Sequence, residues 1–149
     1  MAAPSLLEVA QAAADLITAG TAALAAELDG IQVSPTLVLN PTPPCIDIYP
    51  ADPFAERNAY GPTSWDVVFT VRARVSTADH EGGQLLLLEL MDPRSDLSVM
   101  AALLTDQTLN GTVNDSEVSV PGGFSLYQDG GPTEARWLGC EWRLRMVLA

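Results

Sequence analysis

Asp79, His80 and Glu81 are the one place where this sequence sets a histidine beside carboxylates, the pairing that acid–base chemistry uses. Such work needs the groups aimed at one atom, within ~2.6–3.2 Å of the proton transferred. Consecutive residues on a helix or strand do not converge in that way, so the spacing predicts a solvated helix start. His80 is the single histidine, and no Ser or Cys sits in a recognisable strand–turn–helix elbow, so a hydrolase triad would have to be assembled from distant residues. Cys45 in PPCIDI and Cys140 in LGCEW lack any CxxC spacing, and they cannot complete a zinc set with one histidine unless remote carboxylates join. A disulfide between them is geometrically conceivable; the alternative is a pair of buried thiols acting as small hydrophobes. PGG at 121–123 and DGG at 129–131 lack the lysine and the following helix of a phosphate cradle and read as turns. The acidic clusters lack the spacing of a calcium loop. The NGT triplet at 110–112 matches a glycosylation sequon, a match common by chance. These residues predict no catalytic centre, no bound cofactor and no metal.

The charges suggest recognition instead. All seven basic residues are arginine, against nineteen Asp and Glu, for a net charge of −12. That balance argues against a sheath wrapped on nucleic acid, which needs cations on phosphates. It is compatible with a surface that DNA slides past without stable binding, because like charges repel over about one Debye length, ~8 Å at physiological salt. Arg72 and Arg74 fall as a pair in WDVVFTVRARVS (65–76), and Arg143 and Arg145 as a pair in RWLGCEWRLRMVL (136–148).

Both stretches alternate with the period of a half-buried strand. In the first, Trp65, Val67, Phe69, Val71, Ala73 and Val75 share one face; in the second, Leu138, Cys140, Trp142, Leu144, Met146 and Leu148 do. The arginines fall on the opposite faces. An S-x-x-E capping box at Ser5 and Glu8 opens an amphipathic helix over about 5–29, with Gly30 as its stop and Gly20 weakening its middle. Short, proline-broken strands are expected around 32–39 and 45–49. A surface loop follows at about 50–64, carrying Phe54, Arg57 and Tyr60 as contact residues of a mobile arm. Helices are expected at 80–91, ended by Pro93, and at about 96–106, followed by two or three strands. The sum is an α+β fold in a single domain spanning 1–149: a mainly antiparallel sheet with helices on the Phe69 and Trp142 face.

That arrangement leaves Arg72, Arg74, Arg143 and Arg145 exposed on the other face, free to pair with carboxylates of another subunit. Trp137 shares the Arg143 face, which marks that face either as the core of a subunit interface or as a surface covered by one of the chain's own loops. No basic leader and no uninterrupted apolar span is present near the N-terminus, which predicts neither a signal peptide nor a membrane span, and hence a cytoplasmic setting.

The order of elements, with PPCIDIYP, WDVVFTVRARVS, EGGQLLLLELMDP and RWLGCEWRLRMVL, resembles the tail terminator proteins of long-tailed bacteriophages, especially those infecting actinobacteria. A lysine-free, alanine-rich composition suits a host of high genomic GC. The resemblance covers nearly the whole chain. It implies a structural subunit with no enzymatic reaction, which forms a hexameric ring on the finished tail tube, ends its polymerisation and joins the filled head. The partners implied are other copies of itself, the tail tube protein and a head–tail connector protein, with DNA passing through the ring. Its place would be the tail–neck region of the virion, after assembly in the host cytoplasm. Alternatives are a head–tail connector or completion protein, a small-ligand binding module or enzyme that uses the sheet and long loop as a pocket, and a cellular regulatory interaction domain.

Overall fold

The two alternating arginine-bearing stretches become neighbours at the centre of a curled sheet. A computed structural model describes residues 3–22, 31–39, 44–57, 65–76, 80–119, 122–128 and 136–148. In chain order the elements are α1 (Leu6–Gly20), β1 (Gln32–Ser34), β2 (Cys45–Arg57), β3 (Trp65–Ser76), α2 (His80–Met91), α3 (Val99–Leu104), β4 (Val113–Val118), β5 (Ser125–Gln128) and β6 (Arg136–Leu148). β3 and β6 pair antiparallel from Asp66 opposite Val147 to Ser76 opposite Trp137. β2 lies antiparallel on the other side of β3, and β1 adds to β2 in parallel. Beyond β6 the edge is shared, with β4 against residues 144–148 and β5 against residues 136–139.

The fold is α+β, and among the described residues it has three helices with the mostly antiparallel sheet expected from the patterning. Ile46, Ile48, Val67, Phe69, Val71, Ala73, Cys140, Trp142, Leu144 and Met146 form the inner face of the sheet. Against them pack Val9, Ala13 and Ile17 of α1, Leu87 and Leu90 of α2, and Val99 and Leu103 of α3. Removing each large apolar side chain from water contributes roughly 1.5–3 kcal/mol, and Trp142, fully buried, is the largest.

Local chemistry explains the ends of α1. Ser5 Oγ accepts the Glu8 N–H at 3.2 Å, and Glu8 Oε2 accepts the Ser5 N–H at 2.6 Å, so the capping box closes from both sides. The helix stops at Gly20, earlier than the alanine run suggests; Thr21 turns its hydroxyl back onto the Ile17 carbonyl at 2.8 Å. Gly20 therefore does not weaken a helix middle. It is the contact with α3, where an added Cβ would lie 2.5 Å from the Ala102 Cβ. Positions 23–30, including the expected stop at Gly30, lie outside the described residues.

Three further expectations need correction. β1 ends at Ser34, short of residue 39, because Pro35 begins a non-strand segment. The second helical stretch is only Val99–Leu104, opened by the Ser98 side chain accepting the Ala101 N–H at 3.1 Å. The stretch at 50–57 is strand and not loop: β2 continues to Arg57 through an irregularity in which Pro50 pairs Phe69 and Ala55 pairs Val67. Pro50 and Pro53 have no N–H to give the sheet, and the bulge accommodates them. It also brings the Phe54 ring to 5.5 Å from that of Phe69, so Phe54 packs on the core and is not an arm contact. Residues 58–64, including Tyr60, lie outside the described residues.

Replacing Ser5 with Ala should cost about 1 kcal/mol through the lost cap, and Trp142→Ala ~3–5 kcal/mol through the cavity left behind. Urea unfolding followed by circular dichroism measures both. Equal losses, or a negligible one for Trp142, would contradict this assignment of core and cap.

Candidate functional site: the outer face of the sheet

Residues paired directly across neighbouring strands share a face, so register fixes what the outer face carries. One row runs Asp47, Arg72, Glu141; the next runs Cys45, Arg74, Gly139; on the other side come Tyr49, Thr70, Arg143. Asp47 is fully buried. Its carboxylate accepts Arg72 Nε at 3.1 Å and Arg72 Nη2 at 2.7 Å, Arg74 Nη2 at 3.1 Å, and the backbone N–H of Val38 at 3.0 Å. Arg74 Nη2 also donates to the Val38 carbonyl at 2.7 Å, so the segment after β1 is tied across this face at both its donor and its acceptor.

Across from Arg72 on β6 stands a second carboxylate, Glu141. Glu141 Oε1 accepts the Tyr127 hydroxyl at 2.7 Å and the Tyr49 hydroxyl at 3.2 Å. The Arg72 guanidinium lies over both rings, 4.9 Å from the centroid of Tyr49 and 5.1 Å from that of Tyr127, where ring quadrupoles attract a cation. Arg74 lies 5.8 Å from the Trp137 centroid. Gly139 makes room for this crowding: an added Cβ would fall 2.3 Å from the Ala73 carbonyl oxygen and 2.7 Å from Cε2 of Tyr127.

This geometry corrects the picture of an open arginine face. Arg74 is only 3% exposed and Arg72 is mostly buried, because a carboxylate on the adjacent strand of the same chain already satisfies both. Arg145 is more exposed, yet its Nε and Nη2 donate to Asp66 Oδ2 at 3.1 and 2.7 Å. Arg143 alone of the four is exposed and without an ion pair among the described residues. Trp137 is 8% exposed, buried in part by Arg74 of its own chain. Arg57 is exposed at the end of β2, 5.9 Å from the centroid of the Trp65 ring. Trp65 is itself 42% exposed at the end of β3, not buried with the rest of its face.

Burial and neighbours shift the titrations here. Burial, with the charge of Glu141 beside it, pushes Tyr49 up to about 12. Tyr127 is pushed up too, first by burial and then by its hydrogen bond to Glu141. Burial acts to lower Arg72, but its hydrogen bonds to Asp47 and the Asp47 charge outweigh that and hold it above its ordinary value. Cys140 rises to about 12 through burial, and Cys45 rises through burial and the Asp47 charge. Both thiols are free and buried. Cys45 pairs Arg74 on the outer face, while Cys140 pairs Ala73 on the inner face, so β3 stands between them and no disulfide can bridge them.

The side chains this arrangement depends on that sequence reasoning missed are Asp47, Glu141, Tyr49 and Tyr127. A signal for the first was present: in CIDIY, Asp47 alternates with Ile46 and Ile48 and must face away from the core. His80 and Glu81 open α2, the helix expected at 80–91, and Asp79 lies outside the described residues. Among the described residues, no three His, Cys, Asp or Glu side chains group to hold a metal, and no helix is long and apolar enough to cross a membrane.

Farther along the outer face, Pro53, Glu56, Asp66, Val68, Arg143 and Arg145 line a small cleft of about 70 Å³. The described side chains of this face present charge and shape.

Because the folded state holds Tyr49 and Tyr127 protonated above their unfolded values, their contribution to stability is intact below about pH 10 and falls as pH rises toward 12. Absorbance at 295 nm should show two tyrosines ionising only on the alkaline side of free tyrosine, together with loss of the fold. Ordinary titration of all three tyrosines near 10 in folded protein would contradict the Glu141 contacts. Ellman's reagent should find neither cysteine in the native protein and both after denaturation.

Compared with known proteins, the chain matches no family model and none of the curated proteins.

Proposed function

We propose that this chain is a structural subunit of a phage tail, a terminator that closes as a hexameric ring on the finished tail tube and presents the surface to which the head joins. The observation that carries this reading is where the resembling segments lie. PPCIDIYP leads into and begins β2, WDVVFTVRARVS is β3, EGGQLLLLELMDP covers α2 and RWLGCEWRLRMVL is β6. β2, β3 and β6 are consecutive in the sheet, so the resemblance falls on one contiguous block of the fold and not on scattered surface. The net charge of −12 supports the same reading, since an acidic ring lets DNA pass without holding it. The partners are then identical copies, the tail tube protein and a head–tail connector, in the tail–neck region of the virion; no reaction is involved.

Light scattering across protein concentration and salt, with negative-stain imaging of the same samples, tests the reading. The expected species is a closed ring with an open centre and six times the 15.8 kDa chain mass, formed alone or when purified tail tubes are added. A chain that stays monomeric and leaves tube ends bare would overturn it. Binding to the portal side but not to tubes would instead make it a connector.

A further inference from the structure

Arg143 is set apart from the other outer-face arginines by what surrounds it. Its backbone is fixed, exchanging hydrogen bonds with Ser119 through the Ser119 N–H to its carbonyl at 3.0 Å and its own N–H to Ser119 Oγ at 3.3 Å. Its cross-strand partner is the uncharged Thr70. Its guanidinium has no ion pair among the described residues, yet it lines the cleft with Pro53, Val68 and an Arg145 already held by Asp66. Glu56, the remaining charged lining residue, adds its charge to that of Asp66 on Arg145. The lining thus holds two carboxylates and two guanidiniums, and of the two guanidiniums it is Arg143 that makes no ion pair among the described residues.

We propose that this cleft is a notch for the carboxylate tip of an Asp or Glu side chain from a second copy of this chain, with Arg143 as its ion-pair partner. The volume sets the class of ligand: about 70 Å³ is room for a carboxyl group and a methylene or so, well below the ~300–1,000 Å³ of small-molecule pockets. Pro53 and Val68 offer apolar walls to the methylenes, and Arg143 offers a planar fork that matches a carboxylate. Charge complementarity selects the partner. A chain with nineteen acidic side chains and seven basic ones meets carboxylates wherever it meets itself, and an unpaired guanidinium is the scarce component. A ring of identical subunits joins two different patches at each interface, so one patch carries the notch and the other the carboxylate. The inference rests on the ring reading above and names the contact that builds it.

The absence of lysine from the sequence makes the test selective. Arg143→Lys introduces a single side-chain amine, and a zero-length carbodiimide joins it only to a carboxylate in contact. In a mixture of light and isotope-labelled protein, the expected product is a mixed dimer linked from position 143 to an Asp or Glu of the other copy, absent from the unsubstituted chain. Arg143→Glu should weaken self-association about 10- to 100-fold by sedimentation velocity, with an unchanged melting temperature because the side chain is exposed. Links confined to one chain, links only to tube protein, or undiminished association of Arg143→Glu would overturn the notch. Rings that still form in Arg143→Glu would reject the notch while leaving the terminator reading standing. A linked dimer without rings or tube capping would do the reverse.

Discussion

The buried carboxylate of Asp47 is the point from which the outer half of this protein is organised. It takes four donors from two separate pieces of chain: Arg72 twice and Arg74 once from β3, and the Val38 N–H from the segment after β1. A buried ion pair is weak evidence for stability, because desolvation cancels much of the attraction, but breaking one leaves an uncompensated charge at about 3–5 kcal/mol. What such a group supplies here is uniqueness of arrangement. With Asp47 fixed, Arg72 lies between the rings of Tyr49 and Tyr127, Glu141 receives both hydroxyls, and β5 is held to β6 by more than its four residues of backbone pairing.

This arrangement redistributes the charge that the sequence presents. Of the four arginines at 72, 74, 143 and 145, two are consumed inside the fold by Asp47 and a third is tied to Asp66. The outer face therefore carries three arginines already ion-paired within the chain, and Arg143, beside the cleft, is the one of the four without an ion pair among the described residues. One sheet is packed on both of its faces. Trp142 and the helices pack one side, and the Asp47 network packs the other.

The architecture was legible because its signals are periodic. Two long alternations gave β3 and β6, and the Ser5–Glu8 box gave the start of α1. Which side of β3 and β6 faces the helices was also readable from Phe69 and Trp142. Proline misled at 50–57, because a bulge lets β2 continue past donors it lacks. The outer face was half legible: alternation places Arg72 and Arg74 away from the core, but it says nothing of which strand lies alongside. Only the pairing of β2 with β3 sets Asp47 opposite Arg72 and turns an apparent interface residue into an internal one. Tyr127 was harder still, since β5 is four residues in a glycine-rich stretch and its partner Glu141 comes from a different strand.

A double-mutant cycle between Asp47 and Arg72 tests this account most directly, using Asp47→Asn, Arg72→Met and the pair, with unfolding free energies from urea. If Asp47 organises the outer face, Asp47→Asn alone should cost ~3–5 kcal/mol, and the double variant should be more stable than the sum of single losses implies, by more than about 1 kcal/mol. Single losses that simply add, to within ~0.5 kcal/mol, would mean the two side chains do not depend on each other and would contradict it.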